Sequence, residues 1–323
     1  MLELVCPAGT SAALQAAIKA GADSVYCGFR DATNARNYPG LNFDDEEMEN
    51  AVSFTHAHGR KIFIAINTFA RAGNPQPWHR AIDRAAALGV DAIILADIGL
   101  LDYAKRHYPD LRRHLSVQAA ASNALSIAFY RDVYDVKRVV LPRVLDVPEI
   151  AALTKETGVE TEVFCFGSVG TMSEGRCFLS SFMTGLSPSC DGVCAPASHV
   201  RYKEEGDSIL SCLGDVTLNR FARHENAAYP TPCKGRYVTR GQASYLFEEP
   251  VGWNAIEILK QLQKAGVTAL KIEGRQRSKA YVAQVVSQFR AALDGQKTPA
   301  SKPLHELAEG SRQTLGAYQK GWR

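Results

Sequence analysis

Residues Asp44–Asn67, DDEEMENAVSFTHAHGRKIFIAIN, hold one complete helix-to-strand unit, and the chain repeats that unit on both sides. Asp44 with Glu47 three residues on forms a capping box that starts a helix over Asp44–His58, each side chain satisfying a backbone N–H of the other residue. Gly59 stands where a helix C-cap belongs. Lys61–Asn67 is a short apolar run of the kind that forms a buried strand. Further strands are expected at Leu2–Cys6, Ser24–Gly28, Ala92–Asp97, Leu115–Gln118, Arg138–Pro142 and Glu162–Gly167. Helices are expected at Ser11–Ala20, Trp78–Leu88 and Gly99–His107, with apolar residues at three- and four-residue intervals and Gly21 and Gly89 as C-caps. An eighth strand falls only at Thr268–Ile272, between helices expected over Asn254–Ala265 and Ser278–Leu293.

Strict alternation predicts parallel strands with helices outside. Eight such units predict a (β/α)8 barrel of TIM type. An open doubly wound sheet is the alternative, since counting strands does not close a barrel. Seven units occupy 1–167, an insertion 168–251, the eighth strand and closing helices 252–295, and a tail 296–323 with a short linker near Pro299–Pro303.

The 323 residues, 46% hydrophobic and 22% charged, describe a globular chain long enough for a deep core. Net charge is only +3, from 37 basic and 34 acidic residues, so a nucleic-acid partner is not expected. The N-terminal MLELVCPAG has neither the basic nor the apolar region of a secretory signal. No apolar stretch is long enough to span a membrane. The expected location is the reducing cytoplasm, where cysteines act as thiols or metal ligands rather than as structural disulfides.

Five of the eight cysteines, Cys177, Cys190, Cys194, Cys212 and Cys233, lie in the insertion, which also carries a hairpin-like segment around Tyr237–Leu246. Thiolates select iron–sulfur clusters, zinc or copper(I) over hard cations. Wide, irregular spacing fits a [4Fe–4S] cube, which needs one sulfur at each of four corners. The tight CxxC pairs of zinc knuckles are absent, since three residues separate Cys190 from Cys194. The plainer alternative, small buried hydrophobes, is preferred for Cys6, Cys27 and Cys212.

The segments VCPAG (Val5–Gly9), DATNARNYPGLNF (Asp31–Phe43), SVQA (Ser116–Ala119), MSEGRCFLSS (Met172–Ser181), CKGRY (Cys233–Tyr237), KIEGRQRS (Lys271–Ser278) and TLGAY (Thr314–Tyr318) run almost the length of the chain. Together they resemble the collagenase-like peptidase family numbered thirty-two, and within it a branch serving oxygen-independent ubiquinone biosynthesis. The resemblance implies a [4Fe–4S] cluster, a heterodimer with a homologous UbiV-like subunit, and a small lipid-binding accessory protein. It further implies hydroxylation of the ubiquinone precursor ring with prephenate as oxygen donor. Carried over position by position, it makes Cys177, Cys194 and Cys233 metal ligands. Gly170 stands where relatives have a fourth cysteine. Cys190 is the first choice to replace it, because its spacing to Cys177 and Cys194 resembles that of the partner protein. Cys165 is a second choice, and three thiolates with an open iron a third. The peptidase label finds no support, since the sequence has no coherent Ser/His/Asp or HExxH arrangement.

Barrels of this type place chemistry at the C-terminal ends of their strands. The expected mouth residues are Arg36, Asn67, Gln118, Arg143, Glu273 and Arg275, with Asp97, Arg30, Asn34, Arg176 and Arg236 close by. Converging arginines suit a dicarboxylate such as prephenate, or an aromatic acid. The plainer alternative pairs each arginine with a local carboxylate, as Arg275 with Glu273. Two other functions stay open at this point: hydroxylation of RNA nucleotides, as in other family members, and a non-catalytic cluster-bearing scaffold.

Overall fold

The computed structural model describes residues 2–296 and 303–321; most of the expected linker near Pro299–Pro303 lies outside the described residues. Seven parallel strands follow one another: β1 Glu3–Pro7, β2 Ser24–Cys27, β3 Lys61–Ile66, β4 Ala92–Leu95, β5 Arg113–Leu115, β6 Arg138–Val140 and β7 Glu160–Ser168. The closing strand, Ala269–Ile272, sets Leu270 opposite Leu4 of β1 and opposite Val163 of β7. The sheet therefore closes into a (β/α)8 barrel, and the open-sheet alternative is excluded. Helices α1 Ser11–Lys19, α2 Asp45–Ala57, α3 Gln76–Ala87, α4 Ile98–His107, α5 Ala124–Tyr134 and α6 Val147–Thr157 lie between the strands. Both halves of the Asp44–Glu47 capping box form, and Asp146 with Glu149 builds a second at α6.

Side chains alternate across the barrel wall, as the two-residue period of a strand requires. Leu4, Cys6, Val25, Cys27, Ile62, Ile64, Val163, Cys165 and Leu270 belong to the large apolar cluster packed with the helices. Val5, Tyr26, Phe63, Ala92, Ile94 and Ala269 form a separate cluster. Below it runs an ion network in which Arg138 bonds Glu3 at 2.6 Å, Glu160 at 2.9 Å and Glu162 at 3.2 Å, and Lys271 bonds Glu162 at 2.6 Å. Burying so many charges is tolerable because each has an opposite partner.

Two expected elements differ from the structure. The strand expected over Leu115–Gln118 ends at Leu115, because the Ser116 hydroxyl accepts from Gln118 N at 3.3 Å and starts a 3-10 turn over Val117–Ala119. The helix expected over Asn254–Ala265 is only its second half, Leu259–Lys264. Gly252–Asn254 instead forms a strand antiparallel to β7, and the Trp253 indole donates to Phe164 O at 3.1 Å.

Gly252 pairs with Ser168, so the insertion leaves the barrel and returns at the same point of its rim. Inside the insertion a short helix, α7 Leu179–Thr184, precedes a three-stranded antiparallel sheet over Val200–Glu205, Ser208–Leu213 and Val216–Ala222. Arg236–Thr239 and Gln242–Tyr245 make the hairpin. The TLGAY segment of the tail seals β7: Gln313–Thr314 pairs beside Gly252–Trp253, and Tyr318 donates to Phe164 O at 2.6 Å. Among the described residues no helix is long and apolar enough to cross a membrane.

Candidate active site at the barrel mouth

The loop after β2 reaches across the mouth because Asn34 bends it. The Asn34 amide donates to Phe29 O at 2.6 Å, and its oxygen accepts from Arg36 N at 3.0 Å. Asn67, just past β3, ties that loop to the next: its oxygen accepts from Ala35 N at 3.0 Å and its amide donates to Ser116 Oγ at 3.1 Å. Gln118 follows in the turn after β5, and its carbonyl oxygen lies only 2.3 Å from where a Cβ on Gly175 would stand. With φ at +68°, Gly175 lets the MSEGRC turn lie against that carbonyl.

Glu273, past the closing strand, is the hub. Its carboxylate accepts from Arg36 Nη2 at 2.9 Å, from Arg143 Nη2 at 2.7 Å and from Ser168 N at 3.3 Å. Burial alone would raise this carboxyl, but Arg143 and Arg36 outweigh it and hold the group at about 2. Arg143 also donates to Glu174 Oε1 at 2.7 Å, and its guanidinium lies 3.5 Å from the Phe164 ring centroid. Burial raises the Glu174 carboxyl, and Arg143 only partly offsets that.

Arg275 does not pair with Glu273. It donates to Asn34 Oδ1 at 3.2 Å above the Tyr26 ring, and burial brings it down to about 10. Arg36, Asn67, Arg143, Glu273 and Arg275 thus form one connected polar lining. The neighbours divide differently. Asp97 caps α4 through Gly99 N and Leu100 N, and Arg30 pairs with Asp44 and Glu47 on the surface. Arg176 turns back to Gly175 O at 2.9 Å.

The cysteines separate into two sets. Cys6, Cys27, Cys165 and Cys212 are buried; Cys177, Cys190, Cys194 and Cys233 are half-buried. The Cys165 thiol donates to Lys271 O at 3.5 Å within the barrel wall. Burial pushes the Cys233 thiol up to about 12, with Glu248, Cys194 and Cys177 adding to the rise, so these three thiols face a common region. The Cys190 thiol is raised by burial and by Asp191, with Arg71 and Asp97 as its other charged neighbours. Among the described residues no three His, Cys, Asp or Glu side chains converge on a single ion. Four thiolates on a cube each meet a different iron, so they need no such convergence. Cys177, Cys194 and Cys233 are soft, half-buried donors of the kind such a cluster takes, whereas the charged neighbours of Cys190 include none of these three thiols.

Tyr38, which sequence reasoning missed, hydrogen-bonds Cys194 Sγ at 2.8 Å from within the DATNARNYPGLNF segment. Glu248 and Lys234 were also invisible. Glu248 is buried and accepts from Gly170 N at 3.1 Å and Thr171 N at 3.2 Å, while Lys234 lies 3.6 Å from it and donates to Ser168 Oγ at 2.9 Å. Only the CKGRY motif carried a signal for Lys234, and nothing local marked Glu248.

This chain is similar to the tRNA hydroxylation protein P of Escherichia coli (strain K12), 29% identical over 335 residues, covering 95% of this chain and 72% of that protein. It is similar to the tRNA hydroxylation protein P1 of Bacillus subtilis (strain 168), 29% identical over 294 residues, covering 90% of this chain and 63% of that one. The 23S rRNA 5-hydroxycytidine C2501 synthase of Escherichia coli (strain K12) is 28% identical over 296 residues, with 91% of this chain and 39% of that enzyme covered. The chain thus spans about two thirds of the tRNA proteins' length and well under half of the rRNA enzyme's. The family description "Peptidase family U32" matches residues 9–320, and this protein belongs to peptidase family U32.

Proposed function

We propose that the chain is a UbiU-type iron–sulfur component of oxygen-independent ubiquinone biosynthesis. It acts with a homologous UbiV-like subunit in hydroxylating the precursor ring, with prephenate as oxygen donor. One observation carries the reading. Cys177 leads through Phe178, the N-cap of α7, into that helix, and Phe178 and Phe182 stand 66% and 89% exposed. An apolar rim beside a thiol site suits a hydrophobic ring and the lipid-binding accessory protein that would deliver it.

Within the mouth Arg36 is ion-paired with Glu273, and Arg143 with Glu273 and Glu174, so a bound acid would meet arginines that already hold partners. Arg36, Asn67, Gln118, Arg143, Glu273 and Arg275 would orient the oxygen donor or the aromatic acid. Cys177, Cys190, Cys194 and Cys233 would hold the [4Fe–4S] cluster, with Tyr38 orienting the Cys194 sulfur. When bound, the cluster supplies one-electron chemistry that the side chains lack.

A second reading, hydroxylation of RNA nucleotides, draws on the printed functions of the tRNA and rRNA relatives. One experiment separates the two. Cells lacking this gene are grown without oxygen, and mass spectrometry follows ring-hydroxylated quinone intermediates and hydroxylated nucleosides together. Loss of the quinone intermediates with unchanged nucleosides is expected. Unchanged quinones with missing RNA hydroxylation would replace this reading with the second.

A further inference from the structure

We propose that Glu174 is the proton-holding residue of the mouth, while Glu273 remains a fixed anion. The proposal rests on reading the barrel mouth as the reacting site. Arg143 divides its fork between the two carboxylates, Nη1 to Glu174 Oε1 and Nη2 to Glu273 Oε2, both at 2.7 Å. The division is unequal. Glu273 also accepts from Arg36 and from the backbone N–H of Ser168. Among the described residues Glu174 has only the Arg143 bond, and its second oxygen, Oε2, is buried with no hydrogen-bond partner. The Nε of Arg143 is buried and unpartnered as well.

A buried polar atom without a partner is costly, and more so if it is charged. A proton on Oε2 removes the buried negative charge, and a ligand donating to Oε2 would give that oxygen its missing partner. Two carboxylates that share one arginine compete for its charge, and the one with less support takes the proton. The charged groups facing Glu174 are Arg143, Glu273 and Arg36; burial raises its carboxyl, Arg143 and Arg36 oppose the rise, and Glu273 adds to it. Neighbouring carboxyls with separated proton affinities are the pattern by which enzymes divide acid–base roles. Position agrees, because Glu174 lies three residues before Cys177 on the loop that brings the thiols to the mouth.

The test is an infrared pH titration of the full chain carrying carboxyl-labelled glutamate, together with ring hydroxylation by the co-expressed complex. The intact protein should show a buried protonated carboxyl titrating above the ordinary glutamate range. Glu174→Gln should remove that signal, and Glu174→Asp should shift it. The Gln variant should lower kcat roughly 100-fold with little change in KM. No such carboxyl in the intact protein, its persistence in Glu174→Gln, or a loss confined to KM would each overturn the assignment. If the Gln variant fails to fold, an unshifted titration in Glu174→Asp overturns it instead. A carboxyl assigned to Glu174 in a complex that hydroxylates no ring supports the proton assignment while removing the quinone reading. Ring hydroxylation without that carboxyl does the reverse.

Discussion

At the residue scale, Glu273 is held ionised by two arginines, and its proton affinity has a consequence for stability. Its folded value is lowered from 4.5 to about 2, so its contribution is fully present above about 4.5 and is lost as pH falls towards 2. Glu273→Gln should cost roughly 3 kcal/mol at neutral pH. In urea unfolding, the gap between the intact protein and the variant should shrink between pH 5 and about 2, whereas a constant gap would show that the arginines do not depend on this carboxylate. Among the cysteines, Cys177→Ala, Cys194→Ala and Cys233→Ala should each remove most of the iron from anaerobically purified protein. Full iron in any one of them strikes that residue from the ligand set, and Cys190→Ala decides the fourth corner by the same assay. A Cβ at Gly170 would meet only Arg143, at 3.9 Å, although φ there is +69°. Gly170→Cys should therefore raise iron retention, offset by backbone strain of the order of 1 kcal/mol; unchanged retention would show that the fourth corner is already filled. The long-range pairs at this scale were not legible in the sequence. Spacing suggests Glu273 with Arg275, two residues apart, but the barrel places Arg143 and Arg36 on Glu273 and gives Arg275 to Asn34.

At the scale of elements, the capping box at α2 and the buried strand after it were readable because both signals are local. The three-stranded sheet of the insertion was not. Its first strand, Val200–Glu205, reads VRYKEE and is almost wholly exposed, so it has no apolar alternation to announce it. Nor was the role of the tail readable, since it depends on a contact between Gly316 and Trp253. A Cβ on Gly316 would stand 2.3 Å from the indole ring, at a φ of +52°. Gly316→Ala should destabilise the protein by about 1–3 kcal/mol and lower its melting temperature. An unchanged melting temperature would mean that the tail does not seal β7 as the geometry requires.

At the scale of the molecule, a barrel supplies a rigid ring of strand ends, and one insertion, leaving and returning at Ser168 and Gly252, brings half-buried thiols over it. The barrel was legible because its eight units share one period, and the insertion because it is the one stretch that breaks that period. Lys234, which pairs with Glu309, and Arg277, which bonds the same carboxylate at 3.1 Å, join the tail to both halves of that assembly. The most direct test is iron, sulfide and zinc analysis, with a visible spectrum, of the chain co-expressed with the proposed UbiV-like subunit and purified without oxygen. About four irons and matching sulfide per chain are expected. Stoichiometric zinc, or protein without iron or sulfide, would contradict the proposed iron–sulfur cluster.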